Sequence, residues 1–210
     1  MSQFYDQIKY FNKGFRALAD SVIALGKKLT TGLGKYPVVQ TTGAVPALSA
    51  TAVHAAVTLA DGATTLVTTA ITHPTVYRAL SVKGNQAGVA GDVVITGTDW
   101  AGRVISDTIA LADNGTVEGV KPFATVTSIL LPARVAAGDT VSVGICDKLG
   151  LYRAIAAAGD VVEVARKASA AAEYTIEATG TVNATYGTVK QGTQVTASDS
   201  FEIHYLSSEL

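Results

Sequence analysis

Runs of β-branched residues alternating with small polar ones recur through most of this chain. Asp92-Val93-Val94-Ile95-Thr96-Gly97-Thr98 leads through Asp99-Trp100-Ala101-Gly102 into Arg103-Val104-Ile105-Ser106-Asp107-Thr108-Ile109-Ala110-Leu111. Two such runs joined by an Asp- and Gly-bearing connection predict a hairpin. Further strands are expected over residues 53–59, 64–72, 76–83, 117–120, 123–131 and 140–145. Turn signals separate them, among them Ala60-Asp61-Gly62, His73-Pro74 and Asp113-Asn114-Gly115. Asn and Gly accept positive φ at little cost, so the last is the strongest. Short strands at these intervals predict a mainly β fold, a β-sandwich or jelly-roll-like domain.

The pattern changes at Asp147-Lys148-Leu149-Gly150-Leu151, after which a second segment begins. Strands are expected there over 152–156, 161–165, 174–178, 181–185, 188–190 and 200–206. The Ala-rich stretches 154–158 and 168–172 fit short helical pieces equally well. Residues 152–210 either complete the first sheet or form a small flanking lobe. No internal repeat is evident.

The first residues follow a different period. Phe4, Ile8, Phe11, Phe15, Leu18, Val22, Leu25 and Leu29 alternate spacings of four and three. A helix of about 3.6 residues per turn aligns them in one stripe, so residues 1–35 predict an amphipathic N-terminal helical arm. Gly14 and Gly26 each weaken such a helix by roughly 1 kcal/mol relative to Ala, so packing must hold it. Gly32, Gly34 and Pro37 end it. Lys9, Lys13, Arg16, Lys27, Lys28 and Lys35 outnumber Asp6 and Asp20, giving the arm a basic face. Such a stripe suits packing on its own β domain or on a partner subunit; a membrane or nucleic acid is the lesser expectation. Residues 36–52, with Pro37 and Pro46 among β-branched residues, read as an extended linker to a β core over 53–151.

Composition sharpens this picture. The 210 residues are 48% apolar and only 16% charged, below the roughly 25% usual for soluble domains. A surface so poor in charge fits a subunit partly covered by neighbours. The net charge of −1 lacks the basic excess of a general nucleic-acid binder. The start, Met1-Ser2-Gln3-Phe4-Tyr5-Asp6, lacks the layout of a secretory signal, and no run of about 18 apolar residues predicts a membrane helix. A protein made and assembled in a cytoplasm is expected.

Candidate chemistry is sparse. His54, His73 and His204 have no second metal ligand at short spacing. Cys146, the single cysteine, has no nearby histidine base and reads as structural. Asp92, Asp99, Asp107, Asp113, Asp139 and Asp147 mostly flank Gly, Asn or Thr at strand ends, where Asp caps local amides. A calcium site is conceivable from such loops, but they lack a clustered D-x-D-x-D pattern. No catalytic residue, cofactor or metal site is assigned, and an enzyme is not expected. Trp100, the only tryptophan, falls at the hairpin tip. It is either an anchor in a partner's pocket or folded over its own sheet.

The run 91–99, Gly102 to Ile109, Val117-Glu118-Gly119-Val120-Lys121-Pro122-Phe123 through Ile129, and Asp139-Thr140-Val141-Ser142-Val143-Gly144 with 147–151 resemble a pattern in structural proteins of tailed-bacteriophage virions. Asn183-Ala184-Thr185-Tyr186-Gly187-Thr188-Val189 and Ser200-Phe201-Glu202-Ile203 look similar to the same group. The resemblance implies a virion component, most like a decoration (cement) protein on the head. Its expected partners are the major capsid protein or neighbouring virion subunits, and it is expected to form a homo-oligomer such as a trimer. A tail-tube or tail-associated subunit and a carbohydrate-binding adhesion module are the alternatives. The arm lies outside the resembling residues, and its contact stripe of Phe4, Ile8, Phe11, Phe15, Leu18, Val22 and Leu25 is assigned on periodicity alone. Replacing Phe11 and Phe15 by Asp should abolish docking on shells, read by co-sedimentation, while the β domain keeps its melting transition. Unchanged docking would exclude the arm as the contact.

Overall fold

The computed structural model describes residues 35–209 apart from 193, 194 and 197. The expected helical arm, with its whole stripe, lies outside the described residues. Within them the fold is mainly β, in antiparallel sheets. Among the described residues one 3-10 turn, Ala158–Asp160, is present, and no helix is long and apolar enough to cross a membrane.

Fourteen strands are described. In order they are β1 (Tyr36–Thr41), β2 (Ser49–Thr58), β3 (Thr65–Val67), β4 (Arg78–Gly84), β5 (Asp92–Thr98), β6 (Val104–Ala110) and β7 (Thr116–Phe123). Then come β8 (Thr125–Leu131), β9 (Thr140–Gly150), β10 (Val161–Lys167), β11 (Thr175–Glu177), β12 (Thr179–Asn183), β13 (Thr188–Gln191) and β14 (Ser200–Ser207). They form three sheets: β3-β8-β5-β6, then β12-β13-β9-β4-β7 with β2 also paired to β9, and β1-β14-β10-β11.

Two buried clusters sit among these sheets. The first joins Val93, Ile95, Ile109, Ile129 and Leu131 of one sheet to Leu80, Val82, Val141, Val143 and Ile145 of the next. The second gathers Val45, Leu149, Leu151, Ile155, Val164, Val189, Phe201, Ile203 and Tyr205. Strand β9 feeds both clusters and is buried along nearly its whole length. Its first half alternates Val141, Val143 and Ile145 with the smaller Thr140, Ser142 and Gly144. At Gly144 the start of β2 crosses so closely that a Cβ would lie 2.0 Å from the Ser49 carbonyl oxygen. Only glycine fits there.

Arg78 is fully buried at the junction of the two clusters. Its Nε and Nη2 donate to the Cys146 carbonyl and its Nη1 to the Pro46 carbonyl. Burial depresses its affinity for the proton, opposed by the neighbouring Cys146 and Asp147. Arginine stays cationic even so, and the carbonyl dipoles compensate the charge.

Several sequence expectations are corrected. Residues 36–52 are not a free linker: β1 pairs along its length with β14, from Tyr36 opposite Ser207 to Thr41 opposite Glu202, and β2 begins at Ser49. Pro37 is tolerated because β1 is a sheet edge. The strand expected over 64–72 shrinks to β3, and Ala70 turns the chain with φ of 55°. The segment 147–151 is no break, because β13 replaces β2 as the neighbour of β9, pairing Val189 with Leu149. Residues 152–156 form no strand. Their amides are taken by side chains instead: Tyr152 N–H by Gln40 Oε1 at 2.9 Å and Arg153 N–H by the Tyr205 hydroxyl at 3.2 Å. Past residue 151 the chain both extends the β9 sheet, through β12 and β13, and builds a separate sheet with β1.

Arg78→Ala removes three hydrogen bonds and leaves a cavity, so it should lower the unfolding free energy by about 3 kcal/mol or more in chemical denaturation. A loss below about 1 kcal/mol would show that the junction does not depend on the guanidinium.

Candidate docking surfaces

The β3-β8-β5-β6 sheet turns Val93, Ile95, Ile109 and Ile129 inward. Period-two alternation therefore places Asp92, Val94, Thr96 and Thr98 on its other face. The register aligns that face in three rows: Val104, Thr98 and Thr125; Ser106, Thr96 and Ser128; Thr108, Val94, Leu130 and Leu66. None of the side chains in these rows is charged; Asp92, opposite Ala110, stands exposed beyond them on the same face. Val104 is 78% exposed and Leu66 62%, while Ser106 and Thr108 are also open to solvent. Exposed strands commonly carry charges that discourage association, and interface centres are depleted in them.

Charge is instead drawn inward. Asp107 is buried beside this face and accepts the Val120 and Lys121 amides of β7 at 2.9 and 3.1 Å, tying two sheets together. Lys121 Nζ reaches the β6 edge and donates to the Ser106 carbonyl at 2.6 Å. Asp99 holds the hairpin tip, accepting the Ala101 and Arg103 amides, both at 2.9 Å, and Arg103 Nε at 2.7 Å.

That tip presents Trp100, which is 40% exposed. Its ring lies 5.9 Å from the ring of Tyr152, with the Arg153 guanidinium 5.9 Å from its centroid. Tyr152 also stacks on Tyr77 at 6.1 Å. Trp100 thus folds back against the segment after β9 and keeps part of its ring in water. Tyr77 is pushed up to about 12 by burial and by the Asp99 charge.

The expected structural residues are dispersed. His54 meets the Ala55 carbonyl, His73 accepts the Val126 amide and His204 pairs with Glu202. Cys146 is buried, its thiol donates to the Ala79 carbonyl, and burial pushes it up to about 11. Among the described residues no three His, Cys, Asp or Glu side chains are grouped to hold a metal.

A repeated device escaped the sequence pattern. Ala136-Ala137-Gly138-Asp139 precedes β9, Ala157-Ala158-Gly159-Asp160 precedes β10, and Ala197-Ser198-Asp199 precedes β14. Asp139 Oδ2 accepts the Val135 and Ala136 amides, and Asp160 Oδ2 accepts those of Ala156 and Ala157. Asp199 Oδ2 accepts the Thr196 amide and pairs with Arg166. Three strands thus start from a turn closed by a buried carboxylate. The signal was a three- to four-residue motif, short enough to pass as ordinary turn composition.

Comparison of the chain with protein-family models, curated proteins and solved structures finds no match.

The Ala136 amide holds Asp139 below its usual 3.8, and the Lys35 ammonium, at 2.5 Å, does the same for Asp160. A depressed carboxylate contributes stability above the unfolded pKa and loses it as pH falls through the folded value. Stability should therefore hold down to about pH 4 and drop below it. Asp139→Asn with Asp160→Asn should lower the neutral plateau and flatten the acid slope in denaturation series. An unchanged slope would show that other groups govern the acid limb.

Proposed function

We propose that this chain is a structural subunit of a tailed-phage virion, a decoration protein that binds the outer surface of the assembled capsid shell and stabilises it. The observation that carries the reading is the outer face of the β3-β8-β5-β6 sheet, whose three aligned rows of side chains carry no charge. The strands β5, β6 and β8 that make up most of it lie within the residues that resemble virion proteins. A broad Thr, Ser, Val and Leu surface with charge only at its Asp92 end suits coverage by another protein. In this reading the two sheets about the first core are a β-sandwich presenting that face to the major capsid protein.

The arm adds a second contact. Strand β1 fixes its exit, with Lys35 paired to Asp160 and Tyr36 opposite Ser207. The stripe of Phe4, Ile8, Phe11, Phe15, Leu18, Val22 and Leu25 would dock on the shell or on a neighbouring copy. Association as a homo-oligomer, a trimer for instance, makes modest contacts add across the lattice. A subunit that binds only the assembled shell stabilises that state by mass action.

Ser106→Lys with Thr108→Glu puts charge on the face at exposed positions and should leave folding intact. Binding to shells assembled without the subunit should weaken at least tenfold, measured by co-sedimentation. Wild-type affinity in this variant would remove the sheet face from the proposed interface.

A further inference from the structure

Away from the sheet face, four aromatic side chains from separate elements converge where the hairpin tip meets the segment after β9. Tyr77 precedes β4, Trp100 caps the β5-β6 hairpin, Tyr152 follows β9, and Tyr186 lies in the β12-β13 turn. Aromatic residues are only 7% of the chain, so this gathering is not dictated by composition. Two clefts flank the Trp100 ring. One, of about 370 Å³, is lined by Pro74, Thr75, Tyr77, Trp100, Ala124 and Tyr152. The other, of about 140 Å³, shares Tyr77 and Trp100 and adds Arg103, Arg153, Tyr186 and Glu209 among its walls.

Trp100, Tyr152 and Tyr186 are 40%, 37% and 39% exposed. Each is therefore anchored yet open to solvent. The rings are held in place: Trp100 by the Asp99-capped tip, Tyr152 against Tyr77 and Trp100, and Tyr186 with Lys121 Nζ 5.8 Å from its centroid. Flat apolar surfaces bordered by hydroxyl, carboxylate and guanidinium groups suit a ligand that is apolar on its ring faces and polar around its edge. A pyranose ring has that character. Arg103 is already paired to Asp99 and Glu209 supplies a carboxylate, so the site does not select for an anion.

We propose that this aromatic cleft is a binding site for a neutral oligosaccharide, with pyranose rings packing against the solvent-open parts of Trp100 and Tyr152 and the chain continuing toward Tyr186. The site would give the subunit a glycan-binding function separate from shell docking, because it uses the hairpin tip rather than the sheet face.

Trp100 is the only tryptophan, so its fluorescence reports on the cleft directly. The full chain would be titrated with hexaoses of glucose, mannose and N-acetylglucosamine, without shells. At least one should give a saturable change in emission. Tyr152→Ala should weaken that binding tenfold or more, while Tyr174→Ala, at an exposed tyrosine outside the cleft, should bind normally. Calorimetry on Trp100→Ala, which lacks the fluorophore, should show the same loss as Tyr152→Ala. No saturable response to any of the three sugars, or equal binding by Tyr152→Ala, would overturn the proposal. Neither result bears on shell docking, which is read in a separate assay.

Discussion

Strand β9 supplies side chains to two hydrophobic cores, and the other strands are arranged around that fact. Val141, Val143 and Ile145 enter the first cluster and Leu149 the second. Its neighbours change accordingly, from β2 beside residues 140–145 to β13 beside 148–150, while β4 follows it on the other edge. Where the cores meet, Arg78 fixes the crossing through the Cys146 and Pro46 carbonyls. A buried cation is tolerated only where its donors are matched. Moving β9 by one residue would break that match and turn Val141, Val143 and Ile145 away from the first core.

The same economy governs the aspartates. Asp99, Asp107, Asp139, Asp147, Asp160 and Asp199 are all buried, and most accept backbone amides at a turn or between sheets. In a chain with 16% charged residues, placing these six inside reduces the charge left for the surface. The three uncharged rows of the sheet face are consistent with that distribution. Low charge therefore marks two linked properties here: turns closed internally by carboxylates, and an outer face left to Thr, Ser, Val and Leu.

Much of this was legible in sequence where alternation was clean. The hairpin of β5 and β6 falls within a residue of its expected bounds, because Val93, Ile95 and Ile109 alternate with polar neighbours and Asp99 closes the turn. The expectation failed where long-range partners decide structure. Residues 36–41 look like any extended Pro-containing stretch until β14, more than 160 positions away, supplies the ladder. Residues 152–156 have strand-like composition, but Gln40 and Tyr205 take their amides. The aromatic cleft was hidden for the same reason, since Tyr77, Trp100, Tyr152 and Tyr186 are scattered in sequence and meet only through the fold. Chemistry carried by one residue type at wide spacing leaves no local motif.

Location on the particle tests the central claim most directly. On the proposed reading, antibody-gold labelling of intact tailed-phage particles prepared from the source of this chain, viewed by electron microscopy, tests it without assuming any contact residue. Label distributed over the head is the predicted result. Label confined to the tail, or absent from every particle, would contradict a shell-decorating role.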